Sequence, residues 1–217
     1  MYAPMVSCLV VAALLLSGCT GDAKVNCDDL IKNANGTSGK HTKVEVTTNH
    51  GMFKVELFDD AAPVTSRNFK TYVEEKFFDH VVFHRILKGF MMQGGKFDNT
   101  TKAAKGGLHD AIKNEAAAAG CRNKAFTLSM ARAGPDTAKS EFFVNFVDNA
   151  FLDFDKAQDG VGYAVFGIVY DGRPVVDAIA NVPVHVYDPS RDPMCQPEGG
   201  KANCPNSPIE MTSVKVI

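Results

Sequence analysis

Arg85 and Gln93 stand in the largely apolar run Val82-Phe83-His84-Arg85-Ile86-Leu87-Lys88-Gly89-Phe90-Met91-Met92-Gln93-Gly94-Gly95. The run offers no nucleophile beside a base, no paired carboxylates and no cluster of metal ligands. It can still bind an apolar group, orient it and aim hydrogen bonds at it. Residues two apart in an alternating strand share a face, so Phe83 is expected beside Arg85, and Met91 beside Gln93. By the same alternation His84 falls on the opposite face, where a satisfied interior histidine is the expected fate.

Two strands, at residues 81–87 and 90–94, must position these side chains. Val44, Val46 and Thr48 alternate, Asn49-His50-Gly51 turns, and Phe53, Val55 and Leu57 alternate again, which predicts an opening hairpin. Pro63 suits a first helical turn, and Phe69, Tyr72, Val73 and Phe77 follow at helical spacing. Further strands are expected at 126–131, 142–147, 163–170 and 209–217, with a second helix over Pro174 to Asn181. Many short strands with only two helices predict a mostly β fold, a barrel or sandwich whose open ends the helices plug. Residues 97–125 and 183–208 read as irregular surface loops.

The 217 residues are 45% hydrophobic with a net charge of -2. That composition supports one sizeable core and shows no basic stripe for nucleic acid. Val6 to Leu16 is an apolar run too short to span a bilayer and suited to a signal segment, although the preceding MYAPM lacks Lys and Arg. Leu16-Ser17-Gly18-Cys19 then resembles the lipobox of bacterial lipoproteins, which would make Cys19 the acylated amino terminus and the chain membrane-bound through lipid. An ordinary cleaved signal is the alternative. The expected organisation is a signal over 1–18, a flexible tether over 19–40, holding the domain on the order of 25 Å from a membrane, and one domain over 41–217. Setting aside Cys8 and Cys19 leaves Cys27, Cys121, Cys195 and Cys204. Cys195 and Cys204 are the expected disulfide, with zinc as the rival and the pairing of Cys27 and Cys121 open.

The string FHRILKGFMMQGG, followed in order by SMARAGPDTAKSEFFVNFVDNAFLD and YAVFGIV, closely resembles the cyclophilin-type peptidyl-prolyl isomerases, bacterial periplasmic ones in particular. The resemblance runs from about Lys43 to Ile217. It implies an eight-stranded antiparallel barrel capped by two helices, prolyl cis-trans isomerisation without a cofactor or metal, and proline-containing polypeptides as partners. Carried onto this chain, it gives Arg85 as donor to the prolyl nitrogen and Gln93 as a clamp on the substrate backbone. Phe90, Met91, Phe143 and Leu152 would floor the proline pocket, with Met130, Ala131, Arg132, Phe151 and Tyr163 also against substrate. Arg132 stands where the family offers main-chain hydrogen bonds. Phe151 replaces the tryptophan of the eukaryotic members, so cyclosporin binding is expected to be weak, and Tyr163 stands where they have histidine. Glu141 replaces a frequent glutamine and Lys88 a frequent proline. A monomer assisting the folding of exported proteins is the expected role.

Other readings remain open on the residues alone. Phe90, Met91, Phe143 and Leu152 also fit a plain core, and Arg85 a structural ion pair. A module that holds proline segments, or an adhesion or chaperone scaffold, with isomerisation incidental, is the functional alternative.

Overall fold

The computed structural model describes residues 26–36, 40–197 and 200–217. The expected signal over 1–18 and the lipidation candidate Cys19 lie outside them. In chain order the elements are α1 (Cys27–Asn33), β1 (Lys43–Thr48), β2 (Gly51–Leu57), α2 (Pro63–Glu74), β3 (Val81–Leu87), β4 (Met91–Asp98) and β5 (Ala103–Ala104). There follow α3 (Ala116–Ala119), β6 (Thr127–Met130), β7 (Phe142–Asn145), a single 3-10 turn at Ala150–Leu152, β8 (Val165–Asp171), α4 (Arg173–Ile179), β9 (Val184–Val186), β10 (Ala202–Pro205) and β11 (Ile209–Val216).

Alternation in β1 turns Val44, Val46 and Thr48 inward, and β2 returns with Phe53 opposite Val46. The main sheet runs β3-β11-β1-β2-β8-β6-β7-β4, and β4 pairs back onto β3. Every pairing in this ring is antiparallel. Eight strands therefore close into a barrel, and β5 extends β4 outside the ring. Closure leaves the ring itself without an unpaired strand edge.

The two main helices close the barrel as expected. On α2, Phe69 reaches in, its ring centroid 5.0, 5.1 and 5.2 Å from those of Phe78, Phe142 and Phe166. Tilted and edge-on contacts suit aromatic quadrupoles, and burying each ring contributes about 1.5 to 3 kcal/mol. Ala62 at the start of α2 has no side chain to cap it. The cap comes from a distant loop: the Glu115 carboxylate accepts from the Val64 and Thr65 amides at 3.1 and 2.8 Å and from Thr65 Oγ1 at 2.6 Å. A negative group at this end also complements the helix dipole. On α4, Val176 and Ile179 are fully buried.

Two expectations need correction. The stretch 19–40 is not a tether throughout, because Cys27–Asn33 is helical, Asn26 caps it by accepting from the Asp28 amide at 3.1 Å, and Leu30, Ile31 and Ala34 pack on the barrel core. A Cys27–Cys121 disulfide with Cα atoms 5.0 Å apart fastens this helix to the body. Gly36 then passes so close to Tyr170 that a Cβ there would meet the ring at 2.4 Å, with φ at +73°. The supposed irregular loops also carry structure: β4 continues to Asp98, α3 lies within 97–125, and β9 with β10 makes a separate hairpin within 183–208. Cys195 and Cys204 are bonded beside that hairpin, Cα atoms 5.7 Å apart. Among the described residues no helix is long and apolar enough to cross a membrane.

Candidate active site

The pairing of β3 with β4 sets Arg85 directly opposite Gln93, and Leu87 opposite Met91. The register slips between Phe83 and Arg85, and that irregularity decides which way the arginine points. Phe83 is fully buried in the main core, whereas Leu87, two beyond Arg85, packs on a separate apolar cluster. Simple alternation would have put Phe83 and Arg85 on one face. A bulge re-aims the side chains that follow it, so Arg85 leaves the core face for the groove. Met91 and Gln93 do share a face: Met91 lies in the groove-side cluster, and Gln93 is opposite Phe143 of the same cluster.

A short relay fixes the two polar side chains. Arg85 Nη1 donates to Gln93 Oε1 at 2.9 Å, and Gln93 Nε2 donates to Glu141 Oε2 at 3.0 Å. The amide is thereby oriented at both ends, and a guanidinium fork is held rather than left to sample rotamers. Glu141 Oε1 lies 3.8 Å from Lys96 Nζ, and the Arg85 guanidinium carbon is 5.9 Å from the Phe90 ring centre. Glu141 thus orients the Gln93 amide, a role its sequence position does not announce.

His84 is 1% exposed, edge-on to Phe97 at 5.0 Å. Neither ring nitrogen has a hydrogen-bond partner among the described residues, so it is interior but not satisfied. Burial, then the positive charges of Lys96 and Arg85, lower its pKa to about 3. Its 3.7 Å approach to Glu141 Oε2 is therefore contact of a neutral ring, and not an ion pair.

Beside this relay Met91, Phe143 and Leu152 form their own buried apolar cluster, with Leu87, Phe90, Ala131 and Tyr163 packed against it. Tyr163 meets Phe143 edge-on at 5.7 Å, and Phe151, 59% exposed, leans over Phe90 at 5.5 Å. These side chains, with Arg85, Gln93 and Arg132, line a groove of about 1080 Å³. Met130 does not join them. It is buried in the main core and absent from the groove wall, so it supports the site from behind. The Arg132 guanidinium lies 4.4 Å from the Tyr163 ring centre, donates to the Gly162 carbonyl from Nε at 3.0 Å and Nη2 at 2.7 Å, and pairs with Asp159. Its charge is committed to the loop that carries Tyr163.

A held guanidinium fork on β3, an oriented amide on β4 and an apolar floor from β4, β7 and the 3-10 turn are thus in place. The sequence profile described as cyclophilin type peptidyl-prolyl cis-trans isomerase/CLD matches residues 43–200. The chain belongs to this family. A peptidyl-prolyl cis-trans isomerase of Acinetobacter baylyi is 40% identical over 177 residues, covering 81% of this chain and 86% of the relative. Peptidyl-prolyl cis-trans isomerase B of Escherichia coli is 45% identical over 137 residues, covering 62% of this chain and 82% of that protein. A Cryptosporidium parvum cyclophilin-type isomerase, crystallised in the presence of the dipeptide Ala-Pro, matches with a TM-score of 0.64 and 25% identity, over 81% of this chain and 98% of that one.

The cyclophilin groove here is braced by a buried polar network that motif reading missed. Asn149 Nδ2 donates to the Phe90 carbonyl at 3.0 Å and to Asn145 Oδ1 at 2.7 Å. Asp153 Oδ1 accepts from the Asn123 amide at 2.8 Å, and Ser129 Oγ donates to Asn123 Oδ1 at 2.7 Å. Asn123, Ser129, Asn145, Asn149 and Asp153 are all buried. Satisfied buried networks rigidify what they connect, here the Phe90 backbone and the turn carrying Phe151 and Leu152. Gly95 serves the same wall, since a Cβ there would meet the Ser140 carbonyl oxygen at 2.4 Å.

Proposed function

We propose that Arg85 stabilises the twisted X-Pro amide of substrates held in the groove, and that the enzyme works as a lipid-anchored monomer in a bacterial cell envelope. The X-Pro bond has partial double-bond character and a barrier near 20 kcal/mol. Rotation through the perpendicular state breaks the resonance and leaves a lone pair on the prolyl nitrogen. A donor aimed at that nitrogen binds the twisted state better than either planar one, which is differential binding in favour of the transition state. The observation carrying this reading is the Arg85–Gln93–Glu141 relay set at the edge of the Met91, Phe143 and Leu152 floor. The floor takes the proline ring while the remaining Gln93 hydrogen-bonding capacity and the Ala131–Arg132 backbone meet the peptide.

The anchoring reading rests on Leu16-Ser17-Gly18-Cys19 after an apolar run. It makes exported polypeptides the natural substrates; separately, Phe151 where the eukaryotic members of the family carry tryptophan predicts weak cyclosporin binding. Relatives named as isomerases favour turnover over a passive proline-binding module. The Cryptosporidium parvum relative, crystallised in the presence of the dipeptide Ala-Pro, is in keeping with an X-Pro substrate. The deciding test is an isomerisation assay on a short X-Pro peptide with the purified chain. Acceleration that vanishes with Arg85→Ala supports the reading; peptide binding without acceleration would convert the protein to a binding module.

A further inference from the structure

We propose that the β9–β10 hairpin carries a metal site that takes Zn²⁺ when the Cys195–Cys204 disulfide is reduced, with Cys204, His185 and Asp192 as ligands and Cys195 as the fourth. In sequence no histidine lies close to either cysteine. The fold supplies one. His185 and Cys204 are direct antiparallel partners across the hairpin, and partners in a sheet present their side chains to the same face. The turn after β9 brings back Asp192, whose carboxylate accepts from the Asp188 amide at 2.7 Å while its own amide donates to the Asp188 carbonyl at 2.9 Å.

The outcome is that a ring nitrogen of His185, an Asp192 carboxylate oxygen and Cys204 Sγ all lie within 4.8 Å of one another. Nitrogen, sulfur and carboxylate oxygen together are a donor set that zinc takes in tetrahedral sites. The histidine is also held as a ligand would be. Asn206 Oδ1 lies 2.8 Å from Nδ1, so that nitrogen can keep its proton, while Nε2 sits 3.0 and 2.9 Å from the two Asp192 oxygens. A hydrogen bond on the outer ring nitrogen is the usual means of fixing a metal-binding histidine. Cys204 is 1% exposed and Cys195 9%, and the cluster borders a cavity of about 520 Å³ walled also by Val82, His84 and Met194.

Oxidised, the two sulfurs are bonded to each other and only His185 and Asp192 remain, too few for a tight site. Reduction needs two electrons and two protons, delivered by a dithiol that leaves as its own disulfide. Zn²⁺ then displaces the two thiol protons, the thiolates and carboxylate bind it, and Nε2 gives its lone pair. The metal thereby replaces the disulfide as the clasp of a hairpin that packs on β3, the strand carrying Arg85, and whose loop residues Gln196 and Lys201 line the active groove.

The test titrates Zn²⁺ against a chromophoric chelator into the full chain, either air-oxidised or reduced with a phosphine, which leaves as its oxide. The reduced chain is expected to bind one Zn²⁺ at least about a hundredfold more tightly than the oxidised one. His185→Ala and Asp192→Asn, both reduced, are each expected to weaken it by about tenfold or more. Cys121→Ser should leave it intact, since reduction also frees Cys27 and Cys121. Cobalt binding to the reduced wild type supplies a readout that needs no variant: thiolate charge-transfer absorption and the intense visible bands of a four-coordinate ion. Equal affinity in the two redox states, unchanged binding by His185→Ala, loss of binding in Cys121→Ser, or a cobalt spectrum lacking thiolate absorption would each overturn the proposal.

Discussion

Arg85 and Gln93 face each other across β3 and β4, and the 2.9 Å bond from Nη1 to Oε1 holds the guanidinium at the edge of the groove. Lysine would keep the charge and lose the geometry, since an ammonium on a flexible stem cannot hold Gln93 and the prolyl nitrogen with one planar fork. Arg85→Lys is therefore expected to lose turnover while peptide affinity changes little. A deficit of about 3 kcal/mol in the transition state is roughly a hundredfold in rate. Isomerisation rate, peptide affinity and a melting curve are measured together. Near-full turnover in a well-folded variant, or equal losses of binding and turnover, would remove Arg85 from its role.

How much of this was legible from sequence depended on whether local pattern carried the information. β3 and α2 announced themselves, one by an apolar run and the other by Pro63 with helically spaced aromatics. The bulge beside His84 did not, because one slipped register leaves no mark on composition yet reverses every face after it. Met130 was placed in the groove by the family resemblance, whereas the polar/apolar alternation of β6 sets it with Leu128 on the core face. The Cys27–Cys121 bond joins residues 94 apart, and only the tertiary fold brings them together. The motif blocks pointed to Arg85 and Gln93, whereas Asn123, Asn145 and Asn149 brace the Phe90 backbone and the neighbouring turn through contacts that no spacing rule encodes.

The same disulfide gives a stability prediction. Closing a loop of that length lowers the entropy of the unfolded chain, a term on the order of 4 kcal/mol. Cys27→Ala with Cys121→Ala is expected to lower the denaturation midpoint and open α1 to proteases, while the barrel and its isomerase activity persist. Chemical denaturation and limited proteolysis check this. An unchanged midpoint with α1 still protected would show that Leu30 and Ile31 hold the helix unaided.

Anchoring is tested at Cys19. Cys19→Ser is expected to move the protein from the membrane to the soluble fraction, with the barrel folded and active, since multiple acyl chains would supply the stable attachment. Fractionation after a high-salt wash is the measurement. A variant that stays in the membrane would rule out the acylated cysteine.

Phe151 projects over the groove rim, 59% exposed. Phenylalanine presents a smaller face than tryptophan and has no indole N–H to donate. Cyclosporin inhibition is expected to be weak in the wild type and tighter in Phe151→Trp, with little change in peptide turnover. An inhibition constant that does not move would show that Phe151 is not the residue at the inhibitor wall.

His84 sets the last prediction, on acid stability. Its folded-state pKa of about 3 lies well below the ordinary histidine value, from burial first and then from Lys96 and Arg85. Between those two values the unfolded chain takes up a proton that the folded chain refuses. Stability from this group is therefore fully present above about pH 6.5 and lost as pH falls toward 3, which amounts to roughly 2 kcal/mol by pH 5. His84→Leu removes the titration and also an imidazole whose nitrogens lack hydrogen-bond partners among the described residues, so the neutral-pH stability should be little changed or improved. The measurement is denaturation of wild type and variant from pH 7.5 to 5. The difference between the two curves isolates His84 from every group the two proteins share. The variant is expected to lose less stability on acidification. Parallel curves would mean that the ring is protonated in the folded protein, and the neutral contact with Glu141 would then have to be redrawn as an ion pair.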